Sequence, residues 1–175
     1  MNICLIGYRC TGKTSVGRML AEQLGWRFLD TDQYIVEKAG RSISEMVAQH
    51  GWNFFRQKEK QALSELNDHD QLVLATGGGI IMDPANLAIL NDDKNFVIWL
   101  QADAETIYHR MKEDEQSDAF RPALTESSLF REIQETLAER RPYYESAADL
   151  AVGTDQIPSE EVYNSILEAL NSLKY

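Results

Sequence analysis

Two rhythms of apolar and polar positions alternate along the chain. Short apolar runs stand at ICLIG (Ile3–Gly7), RFLDTD, QLVLATGGG and NFVIWLQ, and the first three end in glycines or carboxylates. Runs of this length, bounded in this way, predict buried strands. Between them the spacing turns helical. TSVGRMLAEQLG is an amphipathic helix closed by Gly25, and YIVEKAG, SISEMVAQHG and WNFFRQKEKQALSEL are consecutive helices split by Gly40 and Gly51. A helix is predicted over Ala104–Met111, a long one over SSLFREIQETLAERRPYYESA, a weak fifth strand at DLAVG, and a closing helix over PSEEVYNSILEALNSL with Pro158 in its first turn. Pro142 is expected to kink or end the long helix.

Strands alternating with helices predict an α/β fold, with a parallel sheet covered on both faces. No repeat or long linker divides the chain, so residues 1–175 are read as one domain. KEDEQSDAFRPAL breaks the pattern. It has no apolar period and carries four acids between Glu113 and Asp118, and residues 112–124 are read as a mobile lid.

Composition narrows the functional classes. The net charge of −11 argues against a general nucleic-acid or anionic-membrane binder, which needs a basic face. It leaves room for a local basic pocket, and ten of the 17 basic residues are arginines, the side chain best shaped to grip carboxylates and phosphates. Cys4 and Cys10 form no disulfide framework, and no leader or run of 18 apolar residues is read. The expected location is therefore the reducing cytoplasm.

The chemistry begins at GYRCTGKT. Gly7-x4-Gly12-Lys13-Thr14 matches the phosphate-loop pattern in full, with a strand before it and a helix after it. Its glycines let the backbone N–H groups of Cys10, Thr11, Gly12 and Ser15 turn toward an anion, and the helix adds its positive end. Lys13 reaches the outer phosphates, and the Thr14 hydroxyl suits Mg²⁺. Switch GTPases need N-K-x-D and D-x-x-G, and neither occurs. A small-molecule kinase with a lid that keeps water out fits what remains.

Asp30 and Asp32 end the second strand. They either hold Mg²⁺ and take a proton from an attacking hydroxyl, or Asp32 simply caps the next helix. Gly77, Gly78 and Gly79 follow the third strand, either to let a ligand ring lie on the backbone or as a plain loop. Arg56 opens a helix. Arg140 falls on the inward stripe of Phe130, Ile133, Leu137 and Tyr144, where a cation needs an anion, from a structural carboxylate or from a ligand. Arg121 is a solvated charge or a lid contact to the transferring phosphate, and Arg110 is placed to stack on adenine. His50, His69 and His109 lack metal-ligand spacing.

Taken together, the phosphate loop, D-T-D at 30–32, F-R-x-x-E at 55–59, T-G-G-G at 76–79, R-P-x-L at 121–124 and R-x-P-x-Y at 140–144 resemble the shikimate kinase family, in order and over nearly the whole chain. The resemblance implies a three-layer nucleoside-monophosphate-kinase-like fold, with five parallel strands ordered 2-3-1-4-5. It also implies ATP-dependent phosphorylation of the 3-hydroxyl of shikimate. Carried over by position, Asp32 contacts the acceptor hydroxyls, Asp30 and Thr14 support magnesium, and Arg56 and Arg140 grip the shikimate carboxylate. Gly77–Gly79 lie along the ring, residues 31–62 form the shikimate-binding helical segment, and Arg121 serves the lid. Arg110 and Gln156 sit near adenine. Cys10 replaces a glycine common in the family's loop. The expected partner is the small-molecule substrate alone, with the enzyme a monomer. The competing readings are a gluconate-kinase-like enzyme and a catalytically silent binding module. A silent module usually loses Lys13, Asp32 or the lid arginine, and all three are present.

Overall fold

The structure, a computed structural model, describes residues 1–113 and 126–172. Five strands form one parallel sheet in the order β2-β3-β1-β4-β5, as the resemblance implies. They are β1 (Asn2–Ile6), β2 (Arg27–Asp30), β3 (Leu72–Ala75), β4 (Asn95–Gln101) and β5 (Leu150–Gly153). β1 lies between β3 and β4, with Leu5 opposite both Ala75 and Ile98. Parallel strands need helical crossovers, and here these are α1 (Lys13–Leu24), α2 (Thr31–Ala39), α3 (Ile43–His50), α4 (Trp52–Asn67), α5 (Pro84–Leu90), α6 (Ala104–Glu113) and α7 (Glu126–Ala147), with α8 (Ser159–Ser172) following the last strand.

Alternation along the central strand builds the two faces. Ile3 and Leu5 point to one side, where Val16, Leu20 and Ala21 of α1 and Val162 and Ile166 of α8 cover them. Cys4 and Ile6 point to the other, against Leu63 and Leu66 of α4, Leu90 of α5 and Tyr144 of α7. Each such side chain contributes about 1.5–3 kcal/mol when fully buried. α2, α3 and α4 close on a separate cluster of Ile35, Ile43, Met46, Phe55 and Ala62, so the helical segment of residues 31–62 has its own small core.

One feature differs from the sequence expectation. α5 and the 3₁₀ turn before it, Ile80–Met82, fill a stretch for which the apolar pattern predicts no element. The signal is Asp83-Pro84: Asp83 caps the helix by accepting from the Ala85 N–H at 2.8 Å, and Pro84 sits in the first turn. The long helix, by contrast, has its expected span, and Pro142 does not end it. The helix runs through it to Ala147 because Tyr144 and Ala147 are buried against the sheet, and that packing outweighs one lost backbone bond.

Candidate active site

Because all five strands are parallel, their C-terminal ends share one edge, and the motif residues leave the sheet there. The loop from Gly7 to Gly12 follows β1. Gly7 has φ +141, and a Cβ on it would stand 2.5 Å from the Leu100 carbonyl oxygen, so only glycine fits. Cys10 holds φ +61, a left-handed conformation that a glycine adopts more easily. The buried Thr11 hydroxyl donates to the Tyr8 carbonyl at 2.8 Å, and Gly12 precedes α1 at φ +91. Lys13 Nζ donates to the Gly7 and Tyr8 carbonyls at 2.9 and 2.6 Å. Burial pushes its pKa down to about 8 against the upward pull of Asp32 and Asp30. Thr14 and Ser15 are exposed on the first turn of α1.

The Thr14 hydroxyl donates to Asp30 Oδ2 at 3.1 Å. The other oxygen of Asp30 accepts from the N–H groups of Asp32 and Gln33, at 3.0 and 3.3 Å. Asp30, not Asp32, therefore caps α2, which corrects the capping alternative for Asp32. Thr14 and Asp30 offer oxygens only, which suits a small hard cation. Among the described residues no group of three or more His, Cys, Asp or Glu side chains gathers for a metal. A cation at Thr14 and Asp30 would need phosphate oxygens and water to complete its shell, the usual arrangement for Mg²⁺.

Asp32 is the second residue of α2, with Oδ1 buried and unpartnered. Burial, then the Glu59 and Asp30 charges, push its pKa up to about 7, against Lys13 and Arg56. Glu59, from F-R-x-x-E, is 1% exposed and ion-paired with Arg56 three residues earlier on α4. Burial raises the Glu59 pKa, and Arg56 opposes it. The Arg56 guanidinium lies 5.7 Å from the ring centres of both Trp52 and Phe55.

The three glycines are explained by what surrounds them. A Cβ on Gly77 would meet Asp32 and Glu59, one on Gly78 would press on Gly7 and Arg9, and one on Gly79 would stand 2.5 Å from Arg56 Nη2. None of the three has positive φ, so space rather than conformational freedom demands glycine. The Gly77 N–H donates to the buried Thr31 hydroxyl at 3.0 Å. The Gly78 carbonyl accepts from Arg140 Nη1 at 3.0 Å and from the Tyr144 hydroxyl at 2.6 Å. Arg140 also lies 5.8 Å from the centre of the Tyr8 ring, and its Nε is buried without a partner. The phosphate loop, the glycine turn, Asp32, Arg56 and Arg140 are thus brought together.

Arg110 is less open than the sequence suggests. It donates to the Cys10 carbonyl at 3.2 Å, to the Thr154 hydroxyl at 3.1 Å and to the Thr154 carbonyl, tying the phosphate loop to the turn after β5. Gln156 lies in that turn at φ +56 and, with Asp103, Thr106, His109 and Arg110, lines a cleft. Arg121, and the lid apart from residues 112 and 113, lie outside the described residues. Sequence reasoning assigned no role to Glu59, Thr31 or Tyr144. Glu59 and Thr31 are visible only as letters of motifs, and Tyr144 as a motif letter on the inward stripe.

Comparison with known proteins follows the same lines. A family model described as shikimate kinase matches residues 9–171. The shikimate kinase of Syntrophus aciditrophicus (strain SB) is 41% identical over 99% of this chain and 93% of its own. That of Moorella thermoacetica is 40% identical over 98% of this chain and 95% of its own. Among solved structures, the shikimate kinase from Acinetobacter baumannii in complex with shikimate superposes with a TM-score of 0.90. It is 35% identical, covering 99% of this chain and 94% of that one.

Proposed function

The chain belongs to the shikimate kinase family, and we propose that its cleft transfers the γ-phosphoryl group of ATP to the 3-hydroxyl of shikimate, giving shikimate 3-phosphate, with the residues assembled above. One observation carries the residue assignment. Two of the buried side-chain atoms without a hydrogen-bond partner are Asp32 Oδ1, an acceptor, and Arg140 Nε, a donor. Buried polar atoms are costly when unpaired. A small acid with hydroxyl groups supplies a donor to the first and a carboxylate to the second, and shikimate has both.

On this reading Asp32 aligns the acceptor hydroxyl and takes its proton as oxygen bonds to the γ-phosphorus and the bond to the β-γ bridging oxygen breaks. Its pKa near neutrality suits a base that must both accept and release a proton. Lys13 balances charge on the transferring oxygens, with the N–H groups of Cys10, Thr11, Gly12, Thr14 and Ser15 around the phosphates. Arg56 and Arg140 grip the acceptor carboxylate while the ring lies along Gly77–Gly79. Glu59 keeps Arg56 in place through their ion pair. Thr14 and Asp30 would hold Mg²⁺, which when bound neutralises phosphate charge and orients the transferring group. Arg110 and Gln156 border the adenine side, and Arg121 serves as the lid contact. We read the enzyme as a cytoplasmic monomer whose partners are small molecules.

The test is release of ADP from ATP by the purified protein, offered shikimate, gluconate, adenylate or no acceptor. The reading expects fast release with shikimate alone. Equal release with gluconate or without any acceptor overturns it.

A further inference from the structure

The Gly78 carbonyl is the point where three parts of the molecule join. It leaves the glycine turn after β3, and its residue packs so closely on the phosphate loop that a Cβ would stand 3.3 Å from the Gly7 oxygen. Both hydrogen bonds it accepts come from α7, from Arg140 and, four residues on, from Tyr144. A carbonyl has two lone pairs, so both bonds can be good at once. Residues four apart lie one above the other on a helix face, so the two side chains reach the carbonyl from the same side.

Tyr144 is anchored far more firmly than a core filler needs. Its ring stacks on Trp99 of β4, with centres 5.4 Å apart and planes 18° from parallel. Its side chain is 1% exposed, yet the hydroxyl at its tip reaches the site rather than the core. Burial holds the phenol protonated, with its pKa pushed up to about 12, so it donates throughout the working range of pH. Arg140 has no comparable stack on the core. It donates to the Gly78 carbonyl and lies beside the Tyr144 hydroxyl and over the face of Tyr8, and its long stem leaves it many rotamers to lose.

We infer that Tyr144 is a positioning residue for the acceptor: by clamping the Gly78 carbonyl against the sheet, its hydroxyl fixes the platform on which Arg140 rests and from which Arg140 Nε faces the substrate carboxylate. This inference rests on the shikimate-binding role of Arg140 proposed above. A hydroxyl here does what a phenylalanine of the same shape does not. The apolar ring serves the core, and the oxygen serves the site.

Tyr144→Phe keeps the stack and removes only the oxygen. The expected result is a Michaelis constant for shikimate raised roughly 5- to 10-fold, because an Arg140 no longer held in place loses part of its charge-assisted contact to the carboxylate. The constant for ATP should stay within about twofold, and the thermal melt should fall by no more than the loss of one buried hydrogen bond accounts for. A double-mutant cycle supplies the second readout: in an Arg140→Ala background, Tyr144→Phe should change shikimate affinity little, because the group it positions is gone. An unchanged shikimate constant, full additivity in the cycle, or a variant that fails to fold each overturns the inference and leaves Tyr144 a core residue. Failure of the wild-type protein to use shikimate overturns the underlying reading instead, so the two failures are separable.

Discussion

Asp32 and Glu59 converge on Gly77 from two different helices: a Cβ there would stand 2.8 Å from Asp32 Oδ1 and 2.7 Å from Glu59 Oε1. The two carboxylates, both with raised pKa, therefore share one small space, and glycine is what leaves room for them.

Gly77→Ala tests that relationship. The added methyl meets the ends of side chains rather than backbone, so the fold survives by moving the carboxylates aside. Displacing a reacting group by about 1 Å costs on the order of 10²-fold in rate. We expect turnover to fall by roughly that factor with only a small change in melting temperature. Wild-type turnover would mean that Asp32 does not sit where the chemistry needs it.

The two arginines proposed to grip the substrate carboxylate should be distinguishable. Arg56→Ala and Arg140→Ala should each raise the Michaelis constant for shikimate far more than that for ATP, by about 1.5–3 kcal/mol for one charge-assisted contact. Only Arg56→Ala leaves a buried carboxylate, Glu59, without its ion-pair partner. Breaking a buried pair is strongly destabilising, so Arg56→Ala should also melt markedly earlier, whereas Arg140→Ala should not. Kinetics for both substrates with melts of both variants check this, and a loss of ATP affinity alone would place the arginines on the wrong side of the cleft.

Asp30 caps α2 and is proposed to hold Mg²⁺ as well, and two substitutions separate the roles. Asp30→Asn still caps α2, so stability should hold while the Mg²⁺ concentration needed for half-maximal activity rises. Asp30→Ala should show the same Mg²⁺ effect and lose about 1 kcal/mol of stability as well. A magnesium titration and a denaturant melt read the two effects. An unchanged Mg²⁺ requirement in both variants would remove Asp30 from the metal site.

These pairings show where sequence reasoning reaches and where it stops. The strands, their alternation with helices and the phosphate loop are legible because short apolar runs and glycine spacing are local signals. α5 is hidden in a pattern that looks continuous with the glycine turn, although Asp83-Pro84 marks its start. The division of labour between Asp30 and Asp32 cannot be read from D-T-D, since either carboxylate reaches the helix N-terminus. It is settled by Thr14, sixteen residues earlier, drawing Asp30 toward α1. Glu59 and Tyr144 stay silent in the sequence for a related reason. Their importance comes from the approach of α4 and α7 to one glycine turn, a tertiary relationship with no periodicity of its own.

The central claim is that Asp32 accepts the proton of the acceptor hydroxyl, and Asp32→Asn tests it most directly. The amide keeps the shape and loses the basic charge, and helix capping does not interfere, because Asp30 supplies the cap. Replacing a buried, half-uncompensated carboxylate with a neutral amide should leave the melting temperature unchanged or raise it. Shikimate-dependent turnover at saturating ATP and shikimate should fall roughly 10²- to 10⁴-fold. An Asp32→Asn protein that turns over shikimate at the wild-type rate would contradict the account.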